Sequence, residues 1–230
     1  MIELGVEKTD VVMVHASMRK VARDPKDVVA ALVEAAGTVM AYVDWDSASD
    51  VFDPKTSRAT PDNGILAETI RAWPGAIRSA HPDAGVSAIG ERAAWITADH
   101  PFQYGYGERS PLAKLVEARG KVLMLGAPLD TITLLHFSEH AAKIPNKRVI
   151  HYTRRFSDGR VVDFEEFDTC DPVSDVFAED FFGTIAEEFM ATEHTRPAFT
   201  VGKVGDATSH VFDATKLFSF GLAWIERHGR

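Results

Sequence analysis

His136, Glu139 and His140 fall within a single short stretch of a 230-residue chain, and all three are side chains that move protons or hold metals. Histidine titrates near neutral pH. A carboxylate three residues along a helix shares its face and can fix its tautomer, which is what general base catalysis requires. The same run, His136-Phe137-Ser138-Glu139-His140, also matches the inverted zincin spacing H-x-x-E-H, in which two histidines hold zinc and the glutamate activates the bound water. A catalytic zinc needs a third protein ligand, and no downstream acidic helix offers a convincing glutamate. The context also differs, because the helix follows an apolar strand and a Gly-Ala-Pro break, and Lys143, Lys147 and Arg148 crowd its end. That arrangement suits an α/β cofactor site, so the base and the zinc hydrolase stand as competing readings of these residues.

The rest of the chain must position this segment. Its length supports one substantial core, and nothing in its composition forces a split, so a single domain over residues 1–230 is expected. Hydrophobic content of 45% with 26% charged residues is ordinary for a globular protein and argues against disorder. No apolar run reaches bilayer length, and the N-terminus is too acidic to read as a signal peptide, which points to a cytoplasmic protein that is not a membrane partner. Cys170 stands alone, compatible with a reducing compartment. A formal charge of −9 disfavours nucleic acid and favours a cationic small molecule.

Apolar periodicity places strands at 11–14, 38–43, 86–89 and 121–125, and helices at 25–36, 64–73 and 91–98. Residues 47–63 read as an exposed loop of Asp, Ser, Thr and Pro. Ser110 before Pro111 looks like a helix cap, and Asp130 or Thr131 is expected to cap the helix of His136, placing that histidine in its second turn. Ser157-Asp158-Gly159 joins two alternating runs, 149–156 and 160–168, as a hairpin, and helices are expected at 180–192 and 215–227. Early β/α alternation followed by a late hairpin predicts a mixed α/β domain with a largely parallel central sheet and flanking helices. Gly105 and Gly107 lack both the preceding strand and the third glycine of a nucleotide fingerprint.

Five motifs occur in a telling order: HAS at 15–17, RSAHPDA at 78–84, GERSPL at 107–112, LGAPLDTITLLHFSEH at 125–140 and IPNKR at 144–148. Together they resemble the antibiotic N-acetyltransferases that modify the 3-amino group of aminoglycosides, over nearly the whole chain. The tail from residue 201 looks like that family's closing strand and helix. The resemblance implies an acetyl-coenzyme A dependent transferase that needs no metal, on a fold distinct from the common acetyltransferase fold. His136 matches the base that deprotonates the aminoglycoside amine, Glu139 is the first candidate for orienting it, and Asp130 matches a substrate-binding acid.

Aminoglycosides are polycations, so such an enzyme needs carboxylates that hold the drug as well as a base. Asp44, Asp46, Asp62 and Glu68 flank the strand end and loop expected to face the site, Glu179 lies where a later loop can close, and Trp45, Tyr104 and Tyr106 can stack on sugar rings. For the coenzyme, His15, Ser17 and Arg19 after the first strand, together with Arg78 and Ser79, resemble family positions that meet its phosphates, with Arg109 and Ser110 as further candidates. Ser17 is not expected to be a nucleophile, since direct transfer needs no acyl-enzyme. Many family members carry an additional leading helix and a longer version of the 47–63 loop, departures that bear on substrate identity more than on fold or coenzyme. A module that binds drug or coenzyme without catalysis is the non-enzymatic alternative.

Overall fold

Val11 to Val14 are all buried, with Val11 and Met13 packed on one side of a sheet and Val12 and Val14 on the other. An apolar run with that two-residue period belongs at the centre of a sheet covered on both faces. It forms β1 (Val11–Ala16), which pairs in parallel with β2 (Thr38–Tyr42) and with β6 (Lys121–Leu125). The computed structural model describes residues 1–47, 50–171, 181–192 and 198–229.

Between β1 and β2 lie α1 (Met18–Val21) and α2 (Pro25–Ala35), the latter capped by Asp24, whose side chain accepts from the Lys26 amide at 2.8 Å. α3 (Gly64–Arg71), β4 (Ile77–Arg78), β5 (Val86–Gly90), α4 (Ala93–Thr97) and α5 (Pro111–Glu117) follow. After β6 come α6 (Leu135–Ala142), β7 (Val149–Phe156), β8 (Val161–Phe167), α7 (Phe181–Thr192), β9 (Phe199–Val204), β10 (Ala207–Asp213) and α8 (Ala214–His228). The main sheet runs β4-β5-β2-β1-β6-β10-β9. α2 and α3 cover one face through Val29, Leu32, Leu66 and Ile70. α4 to α8 cover the other through residues such as Ile96, Leu115, Leu135, Phe189 and Trp224.

The sheet is mixed rather than largely parallel. Only β2, β1 and β6 run parallel, whereas β5, β4, β10 and β9 pair antiparallel. For the sequential pairs the reason is connection length: the seven residues between β4 and β5 and the two between β9 and β10 are too few for the crossover that a parallel neighbour needs. The hairpin of β9 and β10 also stands where a single closing strand was expected.

The β7–β8 hairpin forms as its turn sequence predicts, with Gly159 at a φ of +88°. It does not join the main sheet. It takes β3 (Val51–Phe52) as a parallel third strand, inside the segment expected to be an exposed loop. Phe52 is fully buried there in a small aromatic core with Trp45, Phe156 and Phe164, which holds the chain around Phe52 against the hairpin. Among the described residues no helix is long and apolar enough to cross a membrane.

Candidate active site

β1, β2 and β6 point their carboxyl ends the same way, so the chain leaving each of them converges on one edge of the sheet. At the end of β6, Gly126 adopts a φ of +66°, and a Cβ there would lie 2.8 Å from the Cβ of Ala207. Only glycine lets the backbone turn this tightly beside β10. A single 3-10 turn, Leu129–Thr131, follows, in which the Thr131 hydroxyl donates to the Pro128 carbonyl at 2.7 Å. The backbone leaves helical geometry at Ile132, so neither Asp130 nor Thr131 caps α6, and His136 sits in the first turn of that helix rather than the second.

His136 Nδ1 lies 3.1 Å from Glu139 Oε2, and the other oxygen of Glu139 lies 2.7 Å from Lys147 Nζ. Glu139 and Lys147 are both buried. Burial pushes the Glu139 carboxyl up, but the hydrogen bonds and charges of His136 and Lys147 outweigh it and hold the group below the ordinary carboxylate range. An ionised Glu139 accepts the Nδ1 proton of His136 and leaves Nε2 as the basic nitrogen. The imidazole is wedged between the rings of Tyr106 and Phe182, each 4.8 Å away centroid to centroid.

Two cavities meet at this histidine. The first, about 370 Å³, is lined by His15, Ala16, Leu66, Ala127, Thr133 and Phe182, together with the acids Asp62 and Asp130. The second, about 470 Å³, is lined by Asp44, Asp83, Glu166, Tyr106, Tyr152 and Arg154. His136 and Tyr42 belong to the walls of both. Ala127 links the first cavity to a further recess of about 430 Å³ containing Lys20, Asp206, Thr208 and His210.

The second cavity is strongly acidic. Asp44 Oδ1 and Glu166 Oε2 are shut off from solvent with no hydrogen-bond partner among the described residues. Burial pushes both carboxyls up to about 7. Beside them the Tyr42 hydroxyl bonds that of Tyr106 and donates to the Asp83 carbonyl at 3.0 Å. Glu166, Tyr42, Tyr152 and Arg154 carry no local signature in sequence. Asp83 lies in RSAHPDA and Lys147 in IPNKR, but neither motif by itself marks the residue as part of the site.

The remaining expected residues scatter. Asp46 lines a separate recess with Trp45, Asp53 and Arg58. Glu68 accepts from the Ala59 amide and grips Arg71, anchoring the returning loop. Tyr104 bonds Glu165 on β8. Glu179 lies outside the described residues. Of the coenzyme candidates, His15 lines the first cavity, where burial pushes its imidazole down to about 4, and Ser17 and the exposed Arg19 lie just beyond it in the chain. Arg78 is committed to the carbonyls of Val43 and Ser57, and Ser79 bonds His100, which in turn bonds the Gly105 carbonyl. Ser110 caps α5 by accepting from the Ala113 amide at 3.1 Å. These three stabilise the framework around the site and are absent from the walls of both cavities.

The zincin spacing does not converge. The His136 ring rests on Tyr106 and Phe182, whereas His140 packs against Tyr104 and Phe167. Glu139 is already engaged by His136 and Lys147. Among the described residues no three potential ligands gather around a point that a metal could occupy.

The chain is similar to known proteins. Residues 13–226 match the family model described as aminoglycoside 3-N-acetyltransferase. Aminoglycoside N(3)-acetyltransferase III of Pseudomonas aeruginosa is 42% identical, over 97% of this chain and 89% of its own. The type VII enzyme of Streptomyces paromomycinus is 38% identical, over 97% and 88%. A solved structure of AAC-IIIb in a binary complex with CoASH superposes with a TM-score of 0.93 at 44% identity, covering 99% of this chain and 94% of the other. AAC-VIa bound to sisomicin gives 0.88 at 35%, covering 99% and 95%.

Proposed function

The chain belongs to the aminoglycoside 3-N-acetyltransferase family, and from that premise we propose that it acetylates the 3-amino group of aminoglycosides by direct transfer from acetyl-coenzyme A, with His136 as general base. The observation that supports this most is that His136 lines both cavities, so a base stands where two ligands would touch. The two cavities differ in chemistry as the two substrates do. Asp44, Asp83 and Glu166, interleaved with Tyr42, Tyr106 and Tyr152, suit a polycation built of sugar rings. The first cavity, with Ala16, Leu66, Ala127 and Phe182, suits a narrow acyl-carrying arm, and the adjoining recess offers Lys20 and Thr208 to phosphates. AAC-IIIb with CoASH and AAC-VIa with sisomicin support the same pair of ligands for this chain.

In this reading the substrate amine donates its proton to His136 Nε2 as its lone pair attacks the thioester carbonyl. The new N–C bond forms, the C–S bond breaks, and the proton follows the departing sulfur. The carboxylate of Glu139, fixed by Lys147, holds the imidazole in the required tautomer and stabilises the imidazolium. Asp62 and Asp130, on the wall of the first cavity, reach toward drug groups that project past His136. No nucleophile from the enzyme is required, since the substrate amine attacks directly, and a second cavity that draws on both sheets supports one domain. A reaction that consumes acetyl-coenzyme A fits a cytoplasmic resistance enzyme. The test is to incubate the protein with acetyl-coenzyme A and a panel that includes gentamicin and sisomicin. A mass gain of one acetyl group located on the 3-amine supports the reading, and unmodified drug across the panel refutes it.

A further inference from the structure

One side chain in the acidic cavity has the wrong sign for a polycation site. Arg154 projects from β7 and grips Asp83 with a two-pronged ion pair, Nη2 to Oδ1 at 2.8 Å and Nε to Oδ2 at 3.0 Å. Its guanidinium lies over the Tyr152 ring, 4.5 Å from the centroid, and its Nη1 donates to the Thr153 carbonyl at 3.3 Å. Stacked and forked in this way, the group is held in one place. Arg154 and Asp83 keep about the same side-chain exposure, 30% and 29%, so the pair lies where an incoming cation can contest it. The Asp83 carbonyl meanwhile accepts from Tyr42, the residue shared by both cavities. The pair is therefore attached directly to the junction where transfer would occur.

We propose that Arg154 is a charge-selectivity residue, an internal cation that occupies Asp83 and so sets how many ammonium groups the substrate can place in this cavity. The proposal rests on the acidic cavity being the drug site. Asp44 and Glu166 each leave one buried oxygen unpartnered among the described residues and receive substrate cations, whereas an amine directed at Asp83 must displace the guanidinium or be repelled by it. A hydroxyl at the same place meets neither penalty. Specificity of this kind comes from an element that disfavours the wrong ligand.

The probes are kanamycin A and kanamycin B, which differ by one hydroxyl-for-amine exchange. Replacing Arg154→Gln is expected to lower KM for the B form about three- to fivefold more than for the A form, with kcat moving less than KM, while Arg154→Lys, which keeps the charge, stays close to the parent ratio. Adding Asp83→Asn to Arg154→Gln is expected to cancel the gain. An unchanged B-to-A ratio in Arg154→Gln, or a KM that rises equally for both drugs, overturns the proposal and makes Arg154 a structural clamp on Tyr152. Calorimetric Kd values for the same two drugs separate the two claims. Binding without acetylation refutes the transferase reading and leaves the charge ratio readable, and acetylation with an unmoved ratio refutes the role of Arg154 alone.

Discussion

Replacing Asp44 with asparagine removes a carboxylate that the fold keeps at a cost. Burial raises its pKa from 3.8 to about 7, so the folded protein favours the protonated acid while the unfolded chain ionises it from about pH 4 upward. The stability associated with this proton is fully present below the unfolded value and is lost as pH rises through 7, because over that interval the folded state binds the proton more tightly. Three units correspond to about 4 kcal/mol at pH 8, and little more than one unit still separates the two states at pH 5. Asparagine has no such dependence. The stability gap between Asp44→Asn and the parent is therefore expected to widen in favour of the variant by about 2 to 3 kcal/mol between pH 5 and pH 8, a relative shift in Tm of roughly 5–10 °C for a chain of this size. Thermal unfolding followed by circular dichroism at the two pH values measures it, and the same variant is expected to bind drug more weakly, since the anion is gone. A gap that stays flat with pH, or that widens toward acid, would refute the claim that Asp44 is a buried carboxylate held ready for a cation.

Other consequences follow from the same geometry. Because the carboxyls of Asp44 and Glu166 both sit near 7, drug affinity measured by calorimetry is expected to fall about tenfold from pH 8 to pH 6 for each carboxylate that must be ionised; a Kd independent of pH over that range would contradict it. Glu139→Gln keeps the shape but removes the charge that orients His136, so kcat is expected to drop by about 10- to 100-fold with KM for both substrates little changed. Equal losses in KM would instead mark Glu139 as a binding residue.

The contact between His136 and Glu139 was legible in sequence because a three-residue helical spacing is a local property, and the Gly-Ala-Pro break marks where the chain leaves its strand. Lys147 was missed because its contact with Glu139 depends on how the chain leaves α6 and returns toward it. The acidic cavity was only partly legible. Asp83 and Arg154 are 71 residues apart in sequence, and Glu166 reaches the site on a hairpin that forms its own sheet. Sequence adjacency misled most between Asp44 and Glu68. Asp46 and Glu68 looked like neighbours of one strand end, but burial of Phe52 in the small aromatic core turns the chain back, leaving Asp44 in the cavity and moving the other two away. Arg78 and Ser79 are polar and open a conspicuous motif, yet their contacts hold loops together.

The central claim is that one imidazole at the junction of two cavities carries the proton transfer. Turnover of the His136→Ala variant, measured with acetyl-coenzyme A and gentamicin at saturating concentrations of both, tests it most directly. A kcat reduced by about 10²- to 10⁴-fold, with both ligands still bound at near-parent affinity, is the predicted result; a kcat equal to that of the parent enzyme would contradict it.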